Sequence, residues 1–323
     1  MMQRVIVPLD GSELSESAIG LGQILARSFG AALELTTVLT EPVMLDLLPS
    51  LLLPDRSAAE HYLEKVASRV SPDIETFSYV IRGNPVEELL RLTSGQPDVV
   101  VVMSTHGRGG LGRVMYGSVA DKVLRGSTVP VALVRGGVAA EKSTLNSLLV
   151  PLDGSELAGQ ALALAAELGA RVDATLTLVR VVEPIWSTTY GAFAEASMLA
   201  SQQIIEVEQQ LQAEARADLD RIATGLRERG LRVGWEVRAG RPADEIVRAA
   251  ETTSADLIVI STHGRGGLRR FALGSVTSEI MHRGVTPILA IPPGSSAEVS
   301  YDGVAPSASE LSVHHREGAL KSG

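Results

Sequence analysis

Residues 7–14 read VPLDGSEL, and residues 150–157 read VPLDGSEL again. Farther along each half, residues 104–111 read STHGRGGL, and residues 261–268 repeat that stretch letter for letter. Each stretch joins the end of an apolar run to Asp, Gly, Ser or His, the composition of a loop at a strand end. Duplicated folds drift, so two identical loop pairs predict two copies of one fold carrying two copies of one binding site.

Working outward from the first repeat, 5–9 is a short apolar strand broken by Asp10-Gly11-Ser12. Ser12 suits the cap of a helix that Leu14, Ala18, Leu21 and Leu25 carry, by their three- and four-residue spacing, to about Phe29. Gly30 ends it. Strands follow at 32–39, 76–81, 99–103 and 131–134, with helices at 58–70, from Pro85 to Leu92, and at 118–124. The second half repeats the order, with strands near 148–152, 175–182, 232–238, 257–260 and 288–291. Its helix over 195–229 is much longer than its counterpart, and Ile204, Val207, Leu211, Ala215, Leu219, Ile222 and Leu226 form one apolar stripe along it. Strands alternating with helices predict an α/β fold of parallel sheets with right-handed crossovers. The domains expected are 1–137 and 146–293, joined by a polar linker at 138–145. Residues 294–323, rich in Ser, Ala, Gly and charge, are expected to be a disordered tail. The apolar run at 43–54 (VMLDLLPSLLLP) is expected to cover a core edge or the seam between halves.

Composition bounds the function. The 323 residues suit two domains, and the 45% hydrophobic content with only 3% aromatics leaves aliphatic residues to fill strands buried on both faces. A net charge of −9 disfavours a general nucleic-acid binder. The absence of cysteine excludes disulfides, thiolate metal sites and thiol nucleophiles. No apolar run reaches the ~18 residues of a membrane span, and no signal peptide precedes the first strand, so a cytoplasmic protein is expected.

The repeated loops carry the chemistry. In an open parallel sheet, ligands bind beyond the carboxyl ends of strands where the strand order reverses. Asp10 and Asp153 follow the first strand of each half, and Ser104–Gly107 and Ser261–Gly264 follow the fourth. Gly107, Gly109 and Gly110 let the backbone approach a ligand closely, and successive N–H groups in such a turn bind anions. Gly117-Ser118 and Gly274-Ser275 open the next helix, where free N–H groups and the helix dipole favour phosphate. Arg108 and Arg113 add positive charge in the first half; Arg265, Arg269 and Arg270 do so in the second. A carboxylate facing anion-binding amides suits a nucleotide. A purely structural alternative is that Ser118 and Asp121 form a capping box. The GxGxxG match at 107–112 follows the fourth strand rather than the first, so it is not a dinucleotide fingerprint. No P-loop occurs. His106 and His263 stand alone in turns, and His314 and His315 fall in the tail, so no metal site is expected. Asp10 has no base or nucleophile beside it, so no catalytic residue is assigned.

These residues resemble the universal stress protein family in its tandem form, over roughly 1–137 and 146–293. Nucleotide-binding members carry G-x-x-G, nine residues, then G-[ST]; here Ser104-Thr105-His106-Gly107 precedes Gly117-Ser118, and Ser261-Thr262-His263-Gly264 precedes Gly274-Ser275, each across nine residues. Serine replaces the first glycine in both halves. The resemblance implies two five-stranded parallel sheets of order 3-2-1-4-5, helices on both faces, and a pseudo-twofold between halves. It implies ATP or a related adenine nucleotide in each crevice. Asp10 and Asp153 would then meet the adenosine. Pro8, Val38 and Met103 would border the base, as would Pro151, Val181 and Ile260. Gly107, Arg108, Gly117 and Ser118 would hold phosphates, with Gly264, Arg265, Gly274 and Ser275 in the second half. Dimers in the family form through the fifth strand, which the two halves are expected to imitate within one chain; a homo-oligomer of whole chains is also open. The expected function is a nucleotide-binding regulator of a stress response with an unidentified protein partner. The alternatives are a slow Mg²⁺-dependent ATPase and a nucleotide-free interaction protein using 43–54 and the long helix.

Overall fold

A computed structural model describes residues 2–40, 55–105, 117–135, 144–184, 198–262, 274–293 and 295. The first half runs β1 (Arg4–Pro8), α1 (Glu13–Glu16), α2 (Ala18–Phe29), β2 (Ala32–Leu39), α3 (Arg56–Ala67), β3 (Thr76–Arg82), α4 (Pro85–Thr93), β4 (Val99–Ser104), α5 (Ser118–Gly126) and β5 (Val131–Val134). The second runs β6 (Ser147–Pro151), α6 (Glu156–Val172), β7 (Thr175–Val182), α7 (Met198–Glu228), β8 (Arg232–Ala239), α8 (Pro242–Thr252), β9 (Leu257–Ser261), α9 (Ser275–Arg283) and β10 (Ile288–Ile291). The apolar run at 43–54, residues 138–143 of the linker and nearly all of the tail lie outside the described residues.

Each half has the order 3-2-1-4-5 that the resemblance implies, and the two join edge to edge. One ten-stranded sheet results, ordered β3-β2-β1-β4-β5-β10-β9-β6-β7-β8. All neighbours within a half are parallel, and β5 meets β10 antiparallel, with Ala132 opposite Leu289. The reason lies in the fifth strands themselves. Val131–Val134 and Ile288–Ile291 are apolar and buried throughout. Left as open edges they would template association with other chains; paired, they close each other.

Two apolar layers cover the sheet, and both run across the seam. Val5, Val7, Leu33, Leu148, Val150 and Leu176 face α2, α3, α6 and α7. Ile6, Val101, Leu149 and Ile258 face α4, α5, α8 and α9. Strand alternation sends neighbouring residues to opposite layers. At the seam, Arg171 on α6 lies over the Phe29 ring of α2, 5.0 Å from its centroid.

Two helices depart from the sequence expectation. The single helix expected from Ser12 to about Phe29 is divided at Ser17. The Ser15 hydroxyl donates to the Ser12 carbonyl at 2.8 Å and the Ser17 hydroxyl to that of Leu14 at 2.7 Å. Such local side-chain bonds compete with the helical ladder. The second half has Ala158 and Gln160 there, and α6 runs unbroken for 17 residues. The apolar stripe of α7 is also not uniformly buried. At 31 residues the helix spans about 46 Å, nearly twice the length of an eight-residue strand such as β8. Its later turns bury Ala215, Leu219, Ala223 and Leu226, while Ile205, Val207 and Leu211 are exposed.

The seam yields a direct test. Leu289 is fully buried opposite Ala132, so Leu289→Asp places an unpaired charge in the shared sheet. A loss of about 3–5 kcal/mol is expected in urea unfolding, whereas Val285→Asp, at an exposed position, should change stability by no more than about 0.5 kcal/mol.

Candidate functional site

Strand β1 lies between β2 and β4, and β6 between β7 and β9, so the strand order reverses at both places. Chain leaving β1 enters the α1/α2 layer, and chain leaving β4 leads to α5 on the opposite face. In an open parallel sheet such a reversal is where a crevice forms between the two exits.

The Asp turns that line these crevices are near copies. In the first, the Asp10 carboxylate accepts from the Ser12 N–H at 3.0 Å and from the Ser12 hydroxyl at 2.6 Å, through Oδ1. In the second, Asp153 Oδ1 accepts from the Ser155 N–H at 2.9 Å and its hydroxyl at 2.6 Å. Each serine then caps its helix, accepting at 3.2 Å from the Ser15 or Ala158 N–H. Gly11 and Gly154, at φ 82° and 83°, supply the left-handed step these turns need. The turns hold each carboxylate in one orientation at the crevice rim.

The opposite rim is duplicated as closely. Ser104 and Ser261 end β4 and β9, buried, and Thr105 and Thr262 follow. The Gly117 N–H donates to the Thr105 carbonyl at 2.6 Å, and the Gly274 N–H to that of Thr262 at 2.7 Å. These bonds pinch the bases of the two loops. Thr105 and Thr262 are in turn anchored through their own N–H groups to Val134 and Ile291 on the fifth strands. The sequence pattern alone assigns these threonines no part. Gly117 and Gly274 occupy the N-cap positions of α5 and α9, and no side chain caps either helix. The capping box considered for Ser118 and Asp121 does not form. Ser118 is already inside the helix, and Asp121 instead pairs with Arg125 at 2.9 Å. The first N–H groups of both helices thus lack side-chain caps, at the positive end of the helix dipole.

Other expected site residues fall as follows. Pro8 ends β1 and Val38 is the last residue but one of β2, both half-buried, and Met103 is buried near the end of β4. Pro151 and Ile260 are buried, and Val181 is half-buried. Gly107, Arg108, Gly264 and Arg265 lie outside the described residues, as do His106 and His263. Among the described residues no three His, Asp or Glu side chains gather as a metal cluster, and no helix is long and apolar enough to cross a membrane.

Around the turns the halves diverge. In the first, the Ser15 hydroxyl accepts from the Asp10 N–H at 3.3 Å, and the next residue, Glu16, accepts from Tyr62 of α3 at 3.1 Å and from Arg69 at 2.7 Å. The second half has Ala158 and Gly159 at these positions. There the tie runs through Arg180, which donates to the Leu152 carbonyl at 3.1 Å and reaches Asp218 on α7 at 3.4 Å. The counterpart of Arg180 is Thr37.

A family model described as the universal stress protein family matches residues 1–135 and again 145–292. The chain belongs to the universal stress protein family. It is a tandem member, with the family's domain read twice. Among its relatives, universal stress protein Rv2005c of Mycobacterium tuberculosis is 29% identical over 230 residues, covering 70% of this chain and 72% of that protein. Universal stress protein MJ0531 of Methanocaldococcus jannaschii is 31% identical over 160 residues, 50% of this chain and 87% of that protein. Among solved structures, a universal stress protein from Archaeoglobus fulgidus shares the fold with a TM-score of 0.61 at 20% identity, over 90% of this chain and 96% of that one.

The Tyr62 contact gives a pH prediction. Burial first, and then Glu16, push the Tyr62 phenol well above its ordinary value of 10.0. Above about pH 10 the unfolded chain releases this proton while the folded chain keeps it, so stability falls as pH rises. Tyr62→Phe should therefore lose less stability than the unaltered protein between about pH 9 and about pH 11 in urea titrations; an equal loss would contradict the assignment.

Proposed function

We propose that the protein binds one adenine nucleotide in each half and acts as a regulator in a stress response. The nucleotide serves as a conformational ligand rather than as fuel. One observation carries this reading: twice in one chain, a fixed aspartate turn faces a helix N-terminus that no side chain caps, across a strand-order reversal. Carboxylate and helix end are complementary to the two ends of a nucleotide. Asp10 and Asp153 accept from a ribose hydroxyl or the adenine amine. The N–H groups at Ser118 and Ser275 receive phosphate oxygens. Pro8, Val38 and Met103 give the base an apolar bed, as do Pro151, Val181 and Ile260 in the second half. Ser104 and Ser261 are small enough to let the ligand pass close to the backbone. Gly107 and Arg108, with Gly264 and Arg265, complete the phosphate ends. A Mg²⁺ ion accompanying the phosphates would be held chiefly by them and by water. The binding units are 1–137 and 146–293, linked by 138–145.

Titration calorimetry of the full chain with ATP should give close to two sites, of which Asp10→Ala removes one and Asp153→Ala the other. The second site should be the tighter, because Arg269 stands where the first half has Gly112. Absence of binding heat, together with no adenine nucleotide released on denaturing the purified protein, would overturn the proposal. Any ATP turnover that persists in a Gly117→Val, Gly274→Val double variant would not belong to these sites.

A further inference from the structure

We propose that the Thr36 hydroxyl reads the ligand of the first cleft, through a hydrogen bond to the polar edge of the bound base that the second cleft cannot make. The inference rests on the nucleotide reading above and deepens it. Thr36 is 1% exposed, and its Oγ1 is sealed from solvent with no hydrogen-bond partner. Such atoms are rare. Among the described residues only Thr36, Thr37 and Gln160 leave a sealed side-chain oxygen or nitrogen unpaired. An orphaned buried hydroxyl costs stability, so an unexplained one points to a partner that arrives later.

Its position says which partner. Thr36 pairs with Pro8 in the β1–β2 register, and Val38 lies two residues on, so strand alternation puts all three on one face. Ile6, two residues before Pro8, and Met103 on β4 belong to the core layer of that face, together with Ala120 of α5. Thr36 therefore joins the bed of Pro8, Val38 and Met103 proposed for the base, on the side where α5 begins. Met103, an unbranched thioether on that bed, repacks at little cost to admit a ring. In the second half Pro151 pairs with Val179. Valine has the shape of threonine without the hydroxyl, and it joins the matching core layer. The beds are thus alike in shape and differ by one polar atom. Thr37 plays no part, since alternation turns it to the α2/α3 face.

The test uses the full chain in an Asp153→Ala background, so that ATP binding reports the first cleft. Thr36→Val should weaken ATP binding about tenfold, and Thr36→Ser, which keeps the hydroxyl, should restore it to within threefold. Without ligand, Thr36→Val should melt at or above the temperature of its parent, because it removes an unpaired polar atom; a merely structural hydroxyl would not give tighter folding with weaker binding. In the reciprocal background, Asp10→Ala, Val179→Thr should strengthen binding at the second cleft. Thr36→Val binding within threefold of its parent, or a loss that Thr36→Ser fails to restore, would overturn the inference while leaving the nucleotide reading intact. If the unaltered protein binds no ATP at either cleft, the nucleotide reading itself falls, and the role of Thr36 with it.

Discussion

Right-handed crossovers impose the constraint on which the structure depends. Chain leaving β1 crosses to the α1/α2 face of the sheet and chain leaving β4 to the α5 face, so the two connections part at the carboxyl ends of these neighbouring strands. The same holds for β6 and β9. What fills the rims is then a matter of local chemistry, and it is repeated with little change. An aspartate is immobilised by the serine that follows it. A loop is pinched by one threonine–glycine hydrogen bond. A helix begins at a glycine with no capping side chain. None of these features is needed for the sheet to form, which is why their joint repetition bears on function rather than on folding.

The seam adds a second constraint. Because β5 and β10 pair antiparallel, the two clefts belong to one continuous sheet and share both core layers. Thr105 and Thr262, which pinch the loop bases, hang from the fifth strands on either side of that seam through Val134 and Ile291. A change at one loop base therefore has a short hydrogen-bonded route to the strand pair that joins the halves.

Much of this was legible in the sequence. The strands announced themselves as short aliphatic runs bounded by turn residues, and the repeated VPLDGSEL and STHGRGGL placed the clefts. The broken helix was not legible. Leu14, Ala18, Leu21 and Leu25 keep helical spacing through Ser17, and only the Ser15 and Ser17 side-chain bonds to backbone carbonyls show the interruption. The merging of two sheets into one was foreshadowed by the resemblance but not by periodicity, since VALV and ILAI say that an edge must be covered without saying by what. Thr36 could not be found by pattern at all. A threonine in a strand is ordinary, and its interest lies entirely in the partner its hydroxyl lacks. The halves also hold their Asp turns differently, through Tyr62, Glu16 and Arg69 in one and through Arg180 and Asp218 in the other. Residues free to diverge did so behind the rims, while the rims themselves stayed the same.

The most direct measurement is electron density from crystals of the full chain grown with an ATP analogue. Twin clefts built for adenine nucleotides should each show a base over Pro8, Val38 and Met103 or over Pro151, Val181 and Ile260, with phosphates at the N–H groups of Ser118 or Ser275. Clefts filled by the chain's own side chains, with no density for base or phosphate in either, would contradict that reading.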